Sequence, residues 1–291
     1  MQLLYALAEL RTPFLDALLG ALTNCGGELV FMAAAIIVFW CVSKSCGYYM
    51  LTVGFVGTIV NQFLKLAFRI PRPWVKDPDF QIVESARAEA TGYSFPSGHT
   101  QNVFASFGCL GRWTKRTWLR AVCALLIVVT AFSRMYLGVH TPLDVGVSFG
   151  IGLVLVFALY PLFRDIDSHP KRLYLLFAGM AVLSAAYLLF AELWPFPADV
   201  DAANLASGRK NAYTLLGAVL GMTFAYWLDR RYVHFDVRAV WWAQVLKAVL
   251  GLAITIGLRA ALKAPLLALC GGHNVANLIR YALMVIFAAG I

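Results

Sequence analysis

Apolar residues run almost from one end of this chain to the other, broken by short polar stretches. A helix that crosses a bilayer needs about 20 predominantly apolar residues, somewhat fewer when polar flanks reach back to the interface. Nine segments fit that pattern, at 29–43, 48–68, 97–111, 119–136, 142–163, 173–193, 212–228, 241–258 and 275–291, the first and third of them short. The pattern predicts an all-α fold, a polytopic membrane helical bundle. Residues 2–24 read as one further helix. Leu3, Leu4, Leu7, Leu10, Phe14, Leu15, Leu18 and Leu22 form its apolar stripe, and Glu9, Arg11, Pro13 and Asp16 interrupt it. Such a segment is expected to lie in the membrane interface; if it spans, the N-terminus changes sides.

Composition agrees with the pattern. Of 291 residues 61% are hydrophobic and 13% charged, and the mean hydropathy of +0.74 places the chain in a bilayer. No Ser/Gly-rich or charged linker divides the apolar runs, so a single membrane domain is expected. The first residues lack a basic stretch followed by a small-residue cleavage site, which argues against a removable signal peptide. Cys25, Cys41, Cys46, Cys109, Cys123 and Cys270 lie in or beside apolar runs without metal-type spacing and read as packing residues.

The net charge of +9 does not point to nucleic acid, because the Lys and Arg residues are scattered among short loops rather than gathered in a basic stretch. It reads as membrane topology. Alternate loops carry Lys44; Arg112, Lys115, Arg116 and Arg120; Arg164, Lys171 and Arg172; and Arg230, Arg231 and Arg238. The excess assigns these loops to the cytoplasm. Residues 70–96, the turn around His140 and residues 199–210 then face outward.

Chemistry-bearing residues gather in three patches at those outward ends. Lys65, Arg72 and Pro73 close the second span; Pro96, Ser97, Gly98 and His99 open the third; Ser133, Arg134, His140 and Asp144 bridge the fourth and fifth. Three cations at one membrane face are costly unless a partner or a function holds them, and together they suit a multiply charged anion. Ser97 is a candidate N-cap, and the N–H groups after Pro96 would face an anion at a helix start. Pro142 suits the first helical position, which makes Thr141 the N-cap and lets Asp144 reach back to one nitrogen of His140. The other nitrogen is then free to attack, while a protonated His99 could supply a leaving group with its proton. Taken singly, a terminal Lys or Arg is more often an anchor and a lone His more often a cap. Their shared face and matching chemistry favour catalysis.

The patches, written K-x6-R-P, P-S-G-H and S-R-x5-H-x3-D, resemble the signature of the type-2 phosphatidic acid phosphatase superfamily, in order and without a substitution. The resemblance implies that Lys65, Arg72, Ser97, Gly98 and Arg134 bind phosphate, that His99 is the acid, that His140 attacks and that Asp144 orients it. It implies no metal and no cofactor. It further implies a six-helix phosphatase core; the hydropathy pattern adds about three C-terminal transmembrane helices, so the chain divides into an N-terminal helix at 1–27, a core at 28–195 and an extension at 196–291. The partner so implied is a membrane lipid phosphate or isoprenyl pyrophosphate, and the location a bacterial cytoplasmic membrane with the site facing outward.

Other readings have narrower support. A soluble sugar phosphate as substrate rests on the span count and on water access, and transfer of phosphate to an acceptor other than water uses the same groups. An anion transporter would account for the cations but leave the two histidines and Asp144 without a role. Lys247, Arg259 and Arg280 read as anchoring or paired cations, and His169, His234 and His273 as surface residues.

Overall fold

The computed structural model describes residues 1–290, and among these every regular element is helical. The helices are α1 (Gln2–Glu9), α2 (Pro13–Thr23), α3 (Glu28–Cys41), α4 (Lys44–Phe68), the single turn α5 (Pro73–Lys76), α6 (Gly98–Val103), α7 (Cys109–Trp113), α8 (Thr117–Tyr136), α9 (Pro142–Arg164), α10 (Pro170–Leu193), α11 (Ala202–Leu228), α12 (Trp241–Ala261), α13 (Lys263–Leu269) and α14 (Val275–Gly290). The polytopic helical bundle expected from the hydropathy pattern is present. Five helices are long and apolar enough to cross a membrane, and six if α2 and α3, bent by 49°, count as one broken span. The other three expected spans are helical but fall short of that test. Residues 98–113 are divided by a π-helical stretch at Phe104–Gly108, α14 is short, and α11 carries polar residues in its first turns.

Residues 2–24 form two helices rather than one. Pro13 cannot donate a hydrogen bond to a preceding turn, and Thr12 caps the new helix by accepting from Leu15 N. The break turns Arg11 inward, where Nη1 donates to Gln81 O and Nε and Nη2 donate to Tyr136 O. Leu4 and Leu19 pack with Phe80, Ile82, Ala86, Tyr136, Leu137 and Val139, while Leu3, Leu10, Phe14 and Leu18 stay exposed. The N-terminal pair thus packs one apolar face on the protein and leaves another exposed.

Backbone contacts divide the chain into two units, residues 1–34 with 49–161, and residues 35–48 with 162–291. In the first, Gly26 seats the turn after α2 directly on α6; a Cβ there would lie 2.5 Å from His99 O. Gly138, at φ +80°, makes the turn between α8 and α9 in a backbone region that other residues rarely enter. In the second unit α11 packs along α14 at Gly217 and Gly221. Cβ atoms there would fall 2.1 Å from Leu278 O and 2.5 Å from Ala282 O. Trp40 Nε1 donates to Ala288 O at 2.6 Å, and Lys44 pairs with Asp229 at 2.6 Å, which joins the start of α4 to the Arg230-bearing turn. Arg280 is buried beside Asn277, and Lys247 lies over the Phe235 ring. His169, His234 and His273 are exposed.

Overpacking a tight core contact costs about 1–3 kcal/mol, and more when backbone must move. Gly217→Val is therefore expected to lower the thermal midpoint of the detergent-solubilised protein. Gly179→Ala, where a Cβ meets nothing within 4 Å, is expected to leave the midpoint unchanged or raise it.

Candidate active site

The three sequence patches converge within the first unit. Lys65, Arg72, Ser97, Arg134, His140 and Asp144 are all buried; Lys65, Arg134 and Asp144 lie on helices, Ser97 and Arg72 cap α6 and α5, and His140 sits in the turn before α9. Burying three cations requires that their donors be satisfied, since an ionised group without partners is costly in a dry interior. The polar segment 70–96 supplies acceptors. Lys65 Nζ donates to Tyr93 O. Arg72 donates from Nη2 to Thr91 O at 2.7 Å, from Nε to Gly92 O at 3.0 Å and from Nη1 to Val139 O at 2.9 Å. Its Nη1 also lies 2.9 Å from Nε2 of His140.

Arg134 differs from the other two cations. Its Nη1 donates to Thr23 Oγ1 at 3.0 Å, but Nε and Nη2 are buried without a partner. Buried guanidinium donors are ordinarily paired, so these two are an exception in the core.

Asp144 and Thr141 cap α9 reciprocally, as the position of Pro142 predicts. Thr141 N donates to Asp144 Oδ2 at 2.7 Å, and Asp144 N donates to Thr141 Oγ1 at 3.3 Å. The same Oδ2 accepts from Ser94 Oγ at 2.6 Å and stands 3.5 Å from His140 Nδ1. That last separation is an approach rather than a hydrogen bond; Nδ1 has no hydrogen-bond partner in this state. Burial first, and then Arg72, Arg134 and Lys65, hold the His140 pKa well below the ordinary imidazole value, so the ring is neutral. With Nδ1 turned to Asp144, the lone pair of Nε2 faces the cations.

Ser97 caps α6 as expected, its Oγ accepting from Thr100 N at 3.4 Å and from Thr100 Oγ1 at 3.0 Å. Its own N–H donates to Asp144 O at 3.1 Å, which ties the two histidine-bearing segments together. The space beside Gly98 is open, for a Cβ would meet nothing within 4 Å. His99 lies at the edge of the site, its Nε2 3.0 Å from Oε2 of the half-exposed Glu89.

Six partners carry no signal in the sequence pattern. Ser94, Glu89 and Thr23 are single polar residues outside any motif spacing, and the carbonyls of Thr91, Gly92 and Tyr93 could come from any residue type. Ser94 is the one a closer look could have found, being a polar residue set between Tyr93 and Phe95 just ahead of the second patch.

Comparison with known proteins follows the same lines. Residues 44–168 match the PAP2 superfamily, and residues 213–291 match the PAP2 superfamily phosphatase transmembrane extension. The undecaprenyl-diphosphatase BcrC of Bacillus subtilis is 32% identical over 37% of this chain and 52% of its own length. The phosphatidylglycerophosphatase B of the same organism is 27% identical over 56% of this chain and 80% of its own. A probable sphingosine-1-phosphate phosphatase of Dictyostelium discoideum is 27% identical over 76% of this chain and 56% of its own. The first and third matches span little more than half the length of those relatives. No solved structure matches the chain.

Each buried acceptor left without its donor costs about 1–3 kcal/mol. Arg72→Lys removes the fork that holds the Thr91, Gly92 and Val139 carbonyls together, and it is expected to make residues 77–95 cleave faster in limited proteolysis. An unchanged cleavage rate would mean that the guanidinium does not clamp this loop.

Proposed function

Because the chain belongs to the PAP2 superfamily and carries its transmembrane extension, we propose that it is a membrane phosphatase acting on a lipid phosphate or isoprenyl pyrophosphate through a phosphohistidine. The observation that carries this reading is the setting of His140. Its Nε2 lies 2.9 Å from a guanidinium, with the Asp144 carboxylate behind Nδ1 at 3.5 Å. A neutral imidazole fixed in that tautomer presents its lone pair where the cations would hold a phosphoryl group.

In this mechanism the phosphoryl oxygens take the open donors of Arg134 and share those of Arg72 and Lys65, with the Ser97 hydroxyl and the backbone at Gly98 completing the cradle. His140 Nε2 attacks phosphorus as the ester bond to the leaving oxygen breaks, and protonated His99 gives its proton to that oxygen. Asp144 accepts from Nδ1–H and stabilises the positive ring of the phosphohistidine. Neutral His99 then takes a proton from water, the hydroxyl oxygen bonds to phosphorus, and Nε2 departs with the electron pair of the N–P bond. The His99 proton is restored and inorganic phosphate leaves.

A lipid substrate suits an integral membrane protein whose site lies at the ends of α4, α8 and α9, and phosphatases of lipid phosphates are among its relatives. The distribution of Lys and Arg among the loops supports a site facing outward from a bacterial cytoplasmic membrane. Cysteines introduced between residues 77 and 90 are expected to react with an impermeant thiol reagent in intact cells; protection there would reverse the orientation.

The purified protein is expected to release phosphate in excess EDTA from at least one of undecaprenyl pyrophosphate, phosphatidylglycerol phosphate, phosphatidic acid and glucose 6-phosphate. His140→Ala is expected to lower kcat by at least about 10³-fold, the range typical of losing a nucleophile. Turnover of labelled substrate should leave an acid-labile phosphate on the wild-type protein and none on the variant. Release that survives in His140→Ala would sink the mechanism, and a preference for glucose 6-phosphate would move the substrate from lipid to sugar.

A further inference from the structure

A cavity of about 370 Å³ opens beside the phosphate cradle, within the range of small-molecule pockets. Its walls include Asp16, Thr23 and Asn24 from α2 and the turn after it, Ser85 and Glu89 from the 70–96 segment, and Arg134. Two of these connect it to the chemistry. Arg134 is 1% exposed and has Nε and Nη2 without partners, and Glu89 reaches Nε2 of His99 at 3.0 Å. A phosphoryl group held by Arg134, with its leaving oxygen toward His99, would place the first atoms of the leaving group in this cavity.

The lining is chemically uneven. Once Arg134 is engaged by phosphate, the charges that remain are the carboxylates of Asp16 and Glu89, joined by the hydroxyls of Thr23 and Ser85 and the amide of Asn24. Asp16 Oδ1 accepts from Tyr136 Oη, which fixes the carboxylate in the wall. A second phosphate would meet two like charges here. A hydroxyl or ammonium next to the phosphoester would meet acceptors.

We propose that this cavity is a leaving-group subsite, built partly by the N-terminal helices, that selects phosphomonoesters bearing a free hydroxyl or ammonium group beside the phosphoester over diphosphates and over esters whose neighbouring groups are acylated. This rests on the phosphatase reading and deepens it. The sequence gives no hint of the subsite, since Asp16 and Asn24 lie in a segment that reads only as an interfacial helix.

Gly20 gives a direct way to test it. It lines the cavity, and a Cβ there would meet only Ser85 Oγ at 3.9 Å, so a larger side chain can enter the empty space. The full-length protein in mixed micelles would be assayed on two matched pairs, lysophosphatidic acid against phosphatidic acid and sphingosine 1-phosphate against ceramide 1-phosphate, together with an isoprenyl diphosphate. The wild type is expected to favour the free member of each pair by about tenfold or more in kcat/KM, the scale of discrimination set by paired against unpaired polar groups. Gly20→Leu and Asp16→Asn are expected to shrink that ratio, chiefly through KM. Asp16→Asn keeps an acceptor for Tyr136, so it carries the test if the larger side chain at position 20 prevents folding. Release from all substrates without preference, a preference for the diphosphate, or ratios unmoved in both variants would overturn the subsite while leaving the phosphatase reading intact. No release from any ester by the wild type would overturn both.

Discussion

Three cationic side chains, Lys65, Arg72 and Arg134, are buried within one small region that holds a single buried carboxylate, Asp144. Like charges crowded in a dry interior are unfavourable, so the surrounding backbone has to be arranged around their donors. That requirement accounts for the shape of residues 70–96. The segment turns three successive carbonyls, at Thr91, Gly92 and Tyr93, onto Arg72 and Lys65, and its Ser94 hydroxyl onto Asp144. Arg134 keeps Nε and Nη2 without partners. The fold thus maintains an excess of buried positive charge within an arranged backbone.

The parts of the site that lie on helices were legible in the sequence, because spacing and capping chemistry place them. Pro142 at the helix start puts Asp144 in the first turn next to His140, and Ser97 caps α6 as its position before Gly98 suggests. The parts supplied by irregular backbone were not legible. Carbonyl acceptors have no residue signature, and Thr23 meets Arg134 only because Gly26 lets the N-terminal turn sit against α6. The same distinction holds for the fold. The long apolar helices α4, α8, α9, α10 and α12 follow the hydropathy pattern, whereas the first 24 residues break at Arg11 to Pro13 because a half-buried, hydrogen-bonded guanidinium and a proline outweigh a continuous apolar stripe.

The second unit obeys a different constraint. Where the first is organised around charges, residues 162–291 are drawn together by small residues and aromatic rings. Gly217 and Gly221 admit the α14 backbone, and Tyr48, Phe177 and Tyr226 meet edge to face or tilted. Close backbone approach is how helices associate where lipid removes the hydrophobic drive between them. Its rigidity comes from fit, and a single methyl group in the wrong place is felt at once.

The bond between Thr23 and Arg134 spans 111 residues of chain. Helices enter a membrane in order of synthesis, so α2 and the turn after it are made long before α8 exists to receive them. The cradle therefore cannot close stepwise from neighbouring residues; it closes only when α8 has arrived, after a long loop has been brought to its ends at an entropic cost that local contacts cannot offset. Until then Arg134 has no Thr23 hydroxyl to donate to. The site is completed late, by a bond between two segments made far apart in time.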